Sequence, residues 1–306
     1  MENQSQNPII LFIRLTRPLF LLGGALLYAM GVGIAHYLGV NIDWGIYVLG
    51  QAWVTILQLS THFLNEYYNA LEDMDNKNRT PFTGGSGVLG PGKLPRDTAL
   101  YSALGSLAVL ASLTVLLISV KHLEPTTILI MVLGFLGSFF YSTPPISLER
   151  TGYGELTASF IVSFLVPAFG FILQSGDLHR LIAMVTFPLF VLNLAMLIAF
   201  DLPDYVVDMK HEKRTLLVRI GWENGMNLHN LLIVIAFFLV ALAASFQLPL
   251  FIALPALIPL PLGFLQIWQL RRIASGGKPN WTAVTLNALA TFSAMAYIFT
   301  FSFWIH

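Results

Sequence analysis

Residues 181–200 read LIAMVTFPLFVLNLAMLIAF, twenty consecutive positions without a charged side chain. As a helix this stretch is about 30 Å long, the thickness of a bilayer's hydrocarbon core. It stops at Asp201-Leu202-Pro203-Asp204, where carboxylates mark the return to water. The same rule applied outward gives nine candidate spans, near 18–37, 45–65, 98–120, 126–143, 156–175, 181–200, 229–247, 249–270 and 281–305. The eighth carries Pro249, Pro255, Pro259 and Pro261, so it is expected to be kinked or broken. The expectation is an all-α, polytopic membrane protein, nine helices in one bundle, with residues 1–306 forming a single membrane domain.

Composition agrees. Of 306 residues 56% are hydrophobic and 10% charged, against roughly 25% charged in soluble domains. The formal net charge is zero, which removes the polyelectrolyte argument for a nucleic-acid partner and leaves the lipid bilayer as the first partner. Cysteine is absent, so disulfides, thiolate metal sites and cysteine nucleophiles are excluded. Met1 to Ile9 is polar, without a basic start or a small-residue cleavage site, and is read as no signal peptide.

Lys and Arg of short loops collect on the cytoplasmic side. Alternating the nine spans puts fourteen of the sixteen basic residues in one set of connections and only Lys121 and Arg180 in the other. A span added or lost would spoil that bias. The N-terminus is therefore expected in the cytoplasm, with the protein in the cell's inner or plasma membrane.

The acids are as unevenly placed. Glu66, Glu72, Asp73 and Asp75 gather where the second span ends, and Asp201, Asp204, Asp208 and Glu212 where the sixth ends. An even number of spans separates them, so both emerge on the cytoplasmic face and can share one cavity. If the second helix continues past the bilayer, Asn65, Asn69 and Asp73 repeat at i, i+4, i+8 on one face; Asp201, Asp204 and Asp208 at i, i+3, i+7 share another. Stacked like charges cost a helix about a few tenths of a kcal/mol per pair unless a cation sits between them. Carboxylate and amide oxygens, with no His or Cys, suit Mg2+ better than zinc or iron. Arg79, Lys213 and Arg214 follow the two clusters and offer anion-binding charge. Plain solvation of a helix end explains any single acid here. It requires neither shared faces nor a common side of the membrane.

These residues resemble the UbiA superfamily of intramembrane prenyltransferases, whose first motif reads N-D-x-x-D-x-x-x-D and whose second reads roughly D-x-x-x-x-x-x-D. Here the first is Asn65-Glu66-Tyr67-Tyr68-Asn69-Ala70-Leu71-Glu72-Asp73 and the second Asp201-Leu202-Pro203-Asp204-Tyr205-Val206-Val207-Asp208. Further similarities are Arg14-Leu15-Thr16-Arg17-Pro18, Asn78-Arg79-Thr80-Pro81, Tyr141-Ser142-Thr143-Pro144-Pro145 and Lys213-Arg214-Thr215, so the likeness runs along the whole chain. It departs at Glu66, which keeps the charge on a longer arm, and at Asn69, which keeps an oxygen but loses the charge. Either Asp73 or Asp75 then completes the first set.

The resemblance implies Mg2+ held by Asn65, Glu66, Asp73, Asp201 and Asp208, with Asn69 and Asp204 in the same machinery, bridging the diphosphate of an allylic polyprenyl donor. Arg79, Lys213 and Arg214 would add fixed positive charge, and Tyr67, Tyr68 or Tyr141 would face the allylic cation that an aromatic acceptor attacks. Loops 74–97 and 205–222 are candidate lids against water. The run Gly84-Gly85-Ser86-Gly87, with Gly90 and Gly92, lacks a P-loop's Gly-Lys-Ser/Thr ending. By itself it reads as a flexible loop, while the family's Thr-Pro-Phe-Thr-Gly-Gly-Ser stretch adds Thr83 and Ser86 to the site. His62 and Asn193 are either interhelical hydrogen-bond groups or acceptor-binding groups.

Family acceptors include 4-hydroxybenzoate, homogentisate, tetrapyrroles and glycerol phosphates. The loop after the first motif and the Asp-Leu-Pro-Asp-Tyr turn look most like the branch that prenylates 1,4-dihydroxy-2-naphthoate in menaquinone synthesis. An inactive relative is one alternative, and a secondary transporter binding a coupling ion is another. Transporter sites lie near the bilayer midplane, whereas the acids here sit at span ends. A CDP-alcohol phosphotransferase is set aside because its D-G-x-x-A-R motif is absent.

Overall fold

The computed structural model describes residues 7–91 and 93–306. Residues 1–6 of the polar start and Gly92 of the glycine run lie outside the described residues. Among the described residues the architecture is helical, with one isolated bridge between Leu89 and Leu94 and no strand. In order come α1 (Pro8–Leu15), α2 (Pro18–Tyr37), α3 (Trp44–Asp75), α4 (Arg96–Val120), α5 (Pro125–Ser142), α6 (Gly154–Phe160), α7 (Val166–Ser175) and α8 (Arg180–Asp201). They are followed by α9 (Tyr205–Lys210), α10 (Leu216–Ile220), α11 (Trp222–Ser245), α12 (Leu250–Ala253), α13 (Leu260–Ala274) and α14 (Trp281–Ile305).

Eight helical stretches are long and apolar enough to cross a membrane, counting Gly154–Ser175 and Leu250–Ala274 as one each. Nine were expected. The difference is α3, whose 32 residues reach roughly 48 Å: Gln51, Gln58, Ser60 and Thr61 dilute its apolar part, and its last third carries Asn65, Glu66, Asn69, Glu72, Asp73 and Asp75. It runs ten residues past the expected end at 65, so the first acidic cluster stays on continuous helix.

Leu22, Val115 and Ile258 are each about two-thirds exposed, the pattern of a bundle whose solvent is lipid. The protein is an integral, multi-pass membrane protein. Its interior is built on Tyr28, Phe169, Phe171, Phe299 and Phe303, all fully buried. The backbones of α2 and α7 touch there: a Cβ on Gly31 would lie 1.9 Å from the Pro167 carbonyl oxygen, so only glycine permits that approach.

Three local departures from regular helix interrupt the bundle. Ile161–Leu165 forms a π turn between α6 and α7, and its Ser163 hydroxyl accepts a 2.8 Å hydrogen bond from Asn193 of α8. Asn193 is thus one of the interhelical groups weighed from sequence. Pro255 and Pro259 break the eighth expected span into α12, a 3-10 turn and α13. Pro203, with no N–H to extend the ladder, ends α8, so Asp201, Asp204 and Asp208 do not share one continuous helical face. Asp201 closes α8, Asp204 precedes α9, and Asp208 lies within it.

Candidate functional site

The two acidic clusters lie side by side. Asn76, the C-cap of α3, donates its amide to Asp204 Oδ1 at 2.6 Å. Lys213 Nζ stands 3.9 Å from Glu72 and 3.5 Å from Glu149. Glu149 belongs to a 3-10 turn, Leu148–Arg150, after α5. Glu155 opens α6 and accepts the Leu216 N–H at 2.9 Å, while Asp201 lies against it.

Charges here are partly matched in pairs. Glu66 is 2% exposed and has both oxygens engaged: Oε1 accepts from Arg17 (Nε 2.9 Å, Nη2 2.5 Å) and from the Ser86 N–H (2.6 Å), and Oε2 from the Ser86 hydroxyl (2.7 Å). A residue expected among metal ligands therefore clamps the glycine loop. That loop lies directly on the acids, because a Cβ at Gly85 (φ 74°) would meet Asp73 Oδ2 at 2.1 Å. Gly84 to Gly87 form a close-packed cover rather than the loosely held loop of the plainer reading. Arg79 reaches back to the Gly85 carbonyl at 2.8 Å, and Thr83 sits underneath, 3.1 Å from Thr80.

Other expected residues are placed elsewhere. Asp75 faces outward and pairs with Lys210 and His211 at 2.5 and 2.9 Å. Arg214 is exposed, without an ion pair among the described residues. The Tyr67 ring lies 4.2 Å beneath the Arg96 guanidinium, half a turn round α3 from Asn65, with Tyr68 packed edge-on against it. His62 bonds the Thr16 carbonyl at 3.0 Å. Tyr141 alone of the three tyrosines stands within the electrostatic reach of Glu149, Glu155, Lys213 and Asp201.

Sequence reasoning missed Arg17, Glu149, Glu155 and Arg150, the last of which pairs with Glu72. Arg17 lies in the Arg14-Leu15-Thr16-Arg17-Pro18 similarity, whereas Glu149, Arg150 and Glu155 fall in no motif or periodic pattern. Burial holds Asp204 up at about 6 against the donor Asn76, and Asp208 up at about 7 against Lys213. Burial alone would lower Lys213, but Glu149, Asp208 and Glu72 outweigh it and raise the ammonium's pKa.

Five buried carboxylate or amide oxygens in this cluster have no hydrogen-bond donor: Asn69 Oδ1, Glu72 Oε2, Glu149 Oε1, Glu155 Oε2 and Asp201 Oδ2, the carboxyls of Asp201 and Glu155 facing each other. An unmatched buried oxygen costs about 1–3 kcal/mol, and more when charged. Among the described residues no three acidic or histidine side chains close round one point as a ready cage. Dispersed hard oxygens around a cavity fit Mg2+, which is held by one or two carboxylates and completes its shell with water or substrate phosphates. A separate open cavity is lined by Asn78, Arg79, Arg272, Lys278 and Trp281, three of them cationic; Arg79 also lies within electrostatic reach of Glu66 and Asp73.

The sequence pattern of the UbiA prenyltransferase family matches residues 25–289. The chain belongs to that family. It is accordingly a prenyltransferase, and it is similar to the 1,4-dihydroxy-2-naphthoate octaprenyltransferase of Bacillus subtilis (strain 168), at 23% identity over 70% of this chain and 67% of that one. Among solved structures the UbiA fold recurs in a digeranylgeranylglyceryl phosphate synthase (TM-score 0.67, 15% identity, 98% of this chain and 100% of that). It recurs again in a UbiA homologue from Archaeoglobus fulgidus bound to GPP and Mg2+ (TM-score 0.66, 17% identity, 97% and 100%).

Proposed function

We propose that this UbiA-family enzyme transfers a polyprenyl group from an allylic diphosphate to an aromatic acceptor, 1,4-dihydroxy-2-naphthoate, with Mg2+ as cofactor. The observation that carries the metal and diphosphate part is the set of unpartnered buried oxygens beside Lys213 and Arg79. The acceptor rests on the name of the Bacillus relative and on the loop and turn likenesses of the sequence. Asp73, Asp201 and Asp208, with the amide oxygens of Asn65 and Asn69, would hold Mg2+, which when bound neutralises charge on the departing diphosphate. A bare carboxylate about 4 Å from a phosphate charge would repel it by roughly 4 kcal/mol at an effective dielectric of 20, so the acids need such a partner.

The chain's own residues do the rest. Arg79, Arg272 and Lys278 draw anionic substrate to the cavity mouth. Lys213 is held charged by Glu149, Asp208 and Glu72, ready to meet phosphate oxygens. The Ser86–Glu66–Arg17 clamp keeps the glycine loop over the acids and excludes water from an allylic cation. Tyr141 offers that cation an aromatic face. The positive-inside bias of the sequence supports a cytoplasmic location for this end of the bundle.

An acceptor panel tests the assignment. Purified protein with labelled allylic diphosphates of several lengths is offered dihydroxynaphthoate, 4-hydroxybenzoate and homogentisate, and lipid extracts are examined. Prenylated naphthoate as the dominant product is expected. Preference for another ring would overturn the acceptor while leaving the reaction class. For topology, the absence of cysteine makes single-cysteine labelling clean: Lys93→Cys should react from the cytoplasmic side and Asp177→Cys from the other.

A further inference from the structure

We propose that Glu149, which lies outside both acidic motifs, is itself a metal ligand and supplies on the α3 side the carboxylate that Asn69 lacks. This rests on the reading of the site as one that holds a divalent cation.

Glu149 is 4% exposed and Asn69 3%. Glu149 Oε2 accepts the amides of Asn65 and Asn69, each at 2.8 Å, and faces Lys213 at 3.5 Å. That oxygen is saturated. Its other oxygen, Oε1, is buried with no donor, and so is Asn69 Oδ1, the far end of one of the amides that orient it. A single hydrogen-bonded unit therefore carries two bare hard oxygens, one of them charged, in the buried acidic cluster. Were Glu149 only the counter-ion of Lys213, its free oxygen would still need a partner, and Lys213 is already shared with Glu72 and Asp208. Arg150 is committed to Glu72.

The pair also explains the neutral residue on α3. An aspartate at 69 would set two carboxylates at about the 2.8 Å that now separates amide from carboxylate, with repulsion of roughly 4 kcal/mol or more. Asparagine at 69 and glutamate at 149 thus form one coupled choice, in which the charge sits on the turn after α5 and the amides of α3 aim it. Exchanging the charge between the two positions should preserve the site.

Full-length protein in detergent is titrated with Mn2+ in the presence of inorganic diphosphate, reading free Mn2+ by its paramagnetic resonance. Glu149→Gln should weaken Mn2+ binding about tenfold or more, and the double variant Asn69→Asp/Glu149→Gln should restore it. Glu149→Cys with Cd2+ should develop a thiolate-to-cadmium charge-transfer band, a readout of direct coordination that a structural role would not produce. No native thiol interferes. Wild-type affinity in Glu149→Gln, or no band in Glu149→Cys while Asp208→Cys shows one, would overturn the proposal. If wild type itself binds no Mn2+, the metal reading fails; if Asp208→Asn loses binding and Glu149→Gln keeps it, only the role of Glu149 fails. Should Glu149→Gln not fold, the double variant, which keeps the carboxylate count, decides in the same way.

Discussion

Asn76 and Asp204 are 128 residues apart in sequence and 2.6 Å apart in space, joined by a hydrogen bond from amide to carboxylate. This contact ties the C-terminus of α3 to the turn after α8, and so holds the two acidic motifs at a fixed separation. Hydrogen bonds to charged groups contribute about 1.5–3 kcal/mol. Asn76→Ala should therefore lower kcat/KM by roughly tenfold or more while the fold persists, as read by steady-state kinetics beside a thermal melt. Unchanged kinetics would mean that the motifs are positioned by other contacts.

Ser86 gives both its N–H and its hydroxyl to Glu66. Ser86→Ala removes only the hydroxyl bond, about 2 kcal/mol at a charged acceptor. The expected result is a rise in the donor's KM together with faster diphosphate hydrolysis without transfer, because the cover over the acids loosens. Product and free diphosphate measured in the same reaction check this; a constant ratio of the two would remove the clamp from the mechanism.

Asp73 lies under Gly85, whereas Asp75 is held outside by Lys210 and His211. Asp73→Asn and Asp208→Asn should each cut turnover by about a hundredfold or more, the scale on which removal of one key electrostatic group registers. Asp75→Asn and the distant Asp177→Asn should leave it nearly intact. Equal losses at 73 and 75 would contradict the placement of the metal.

Burial raises Asp204 to about 6 and Asp208 to about 7 from an ordinary value of 3.8. The folded, metal-free chain thus holds protons that the unfolded chain releases, and its stability falls as pH rises from about 4 to 7. Cation binding requires the deprotonated forms, so Mg2+ should raise the melting temperature little at about pH 5 and most above about pH 7. Melting curves with and without Mg2+ across that range measure it. A shift independent of pH would show that Asp208 does not bind the cation.

Much of this was legible in the sequence because membrane solvent imposes a coarse, long-range code. Residues 281–305 were read as a span and form α14, since twenty or more apolar residues have one economical conformation in lipid. The helix that begins as the second span runs on to Asp75, a polar extension that hydropathy cannot distinguish from a loop but that the i, i+4, i+8 spacing of Asn65, Asn69 and Asp73 allows. The site was half legible. The spacing brings Asp73, Asp204 and Asp208 forward as candidates, but Glu149 and Glu155 sit in a turn and a helix start with no periodic pattern, and join the acidic cluster only through tertiary packing. Tyr67 shows the converse: it is adjacent in sequence to Glu66, yet it faces Arg96 on the other side of α3.

The most direct test of the central claim is a single assay on the purified protein: labelled allylic diphosphate, dihydroxynaphthoate, and Mg2+ with or without chelator. Prenylated product that forms with Mg2+ and disappears with chelator and in Asp208→Asn is the expected result. Product formation that ignores the chelator would contradict the metal-carboxylate site. No product and no diphosphate release from folded protein across donor lengths would contradict the transferase reading itself.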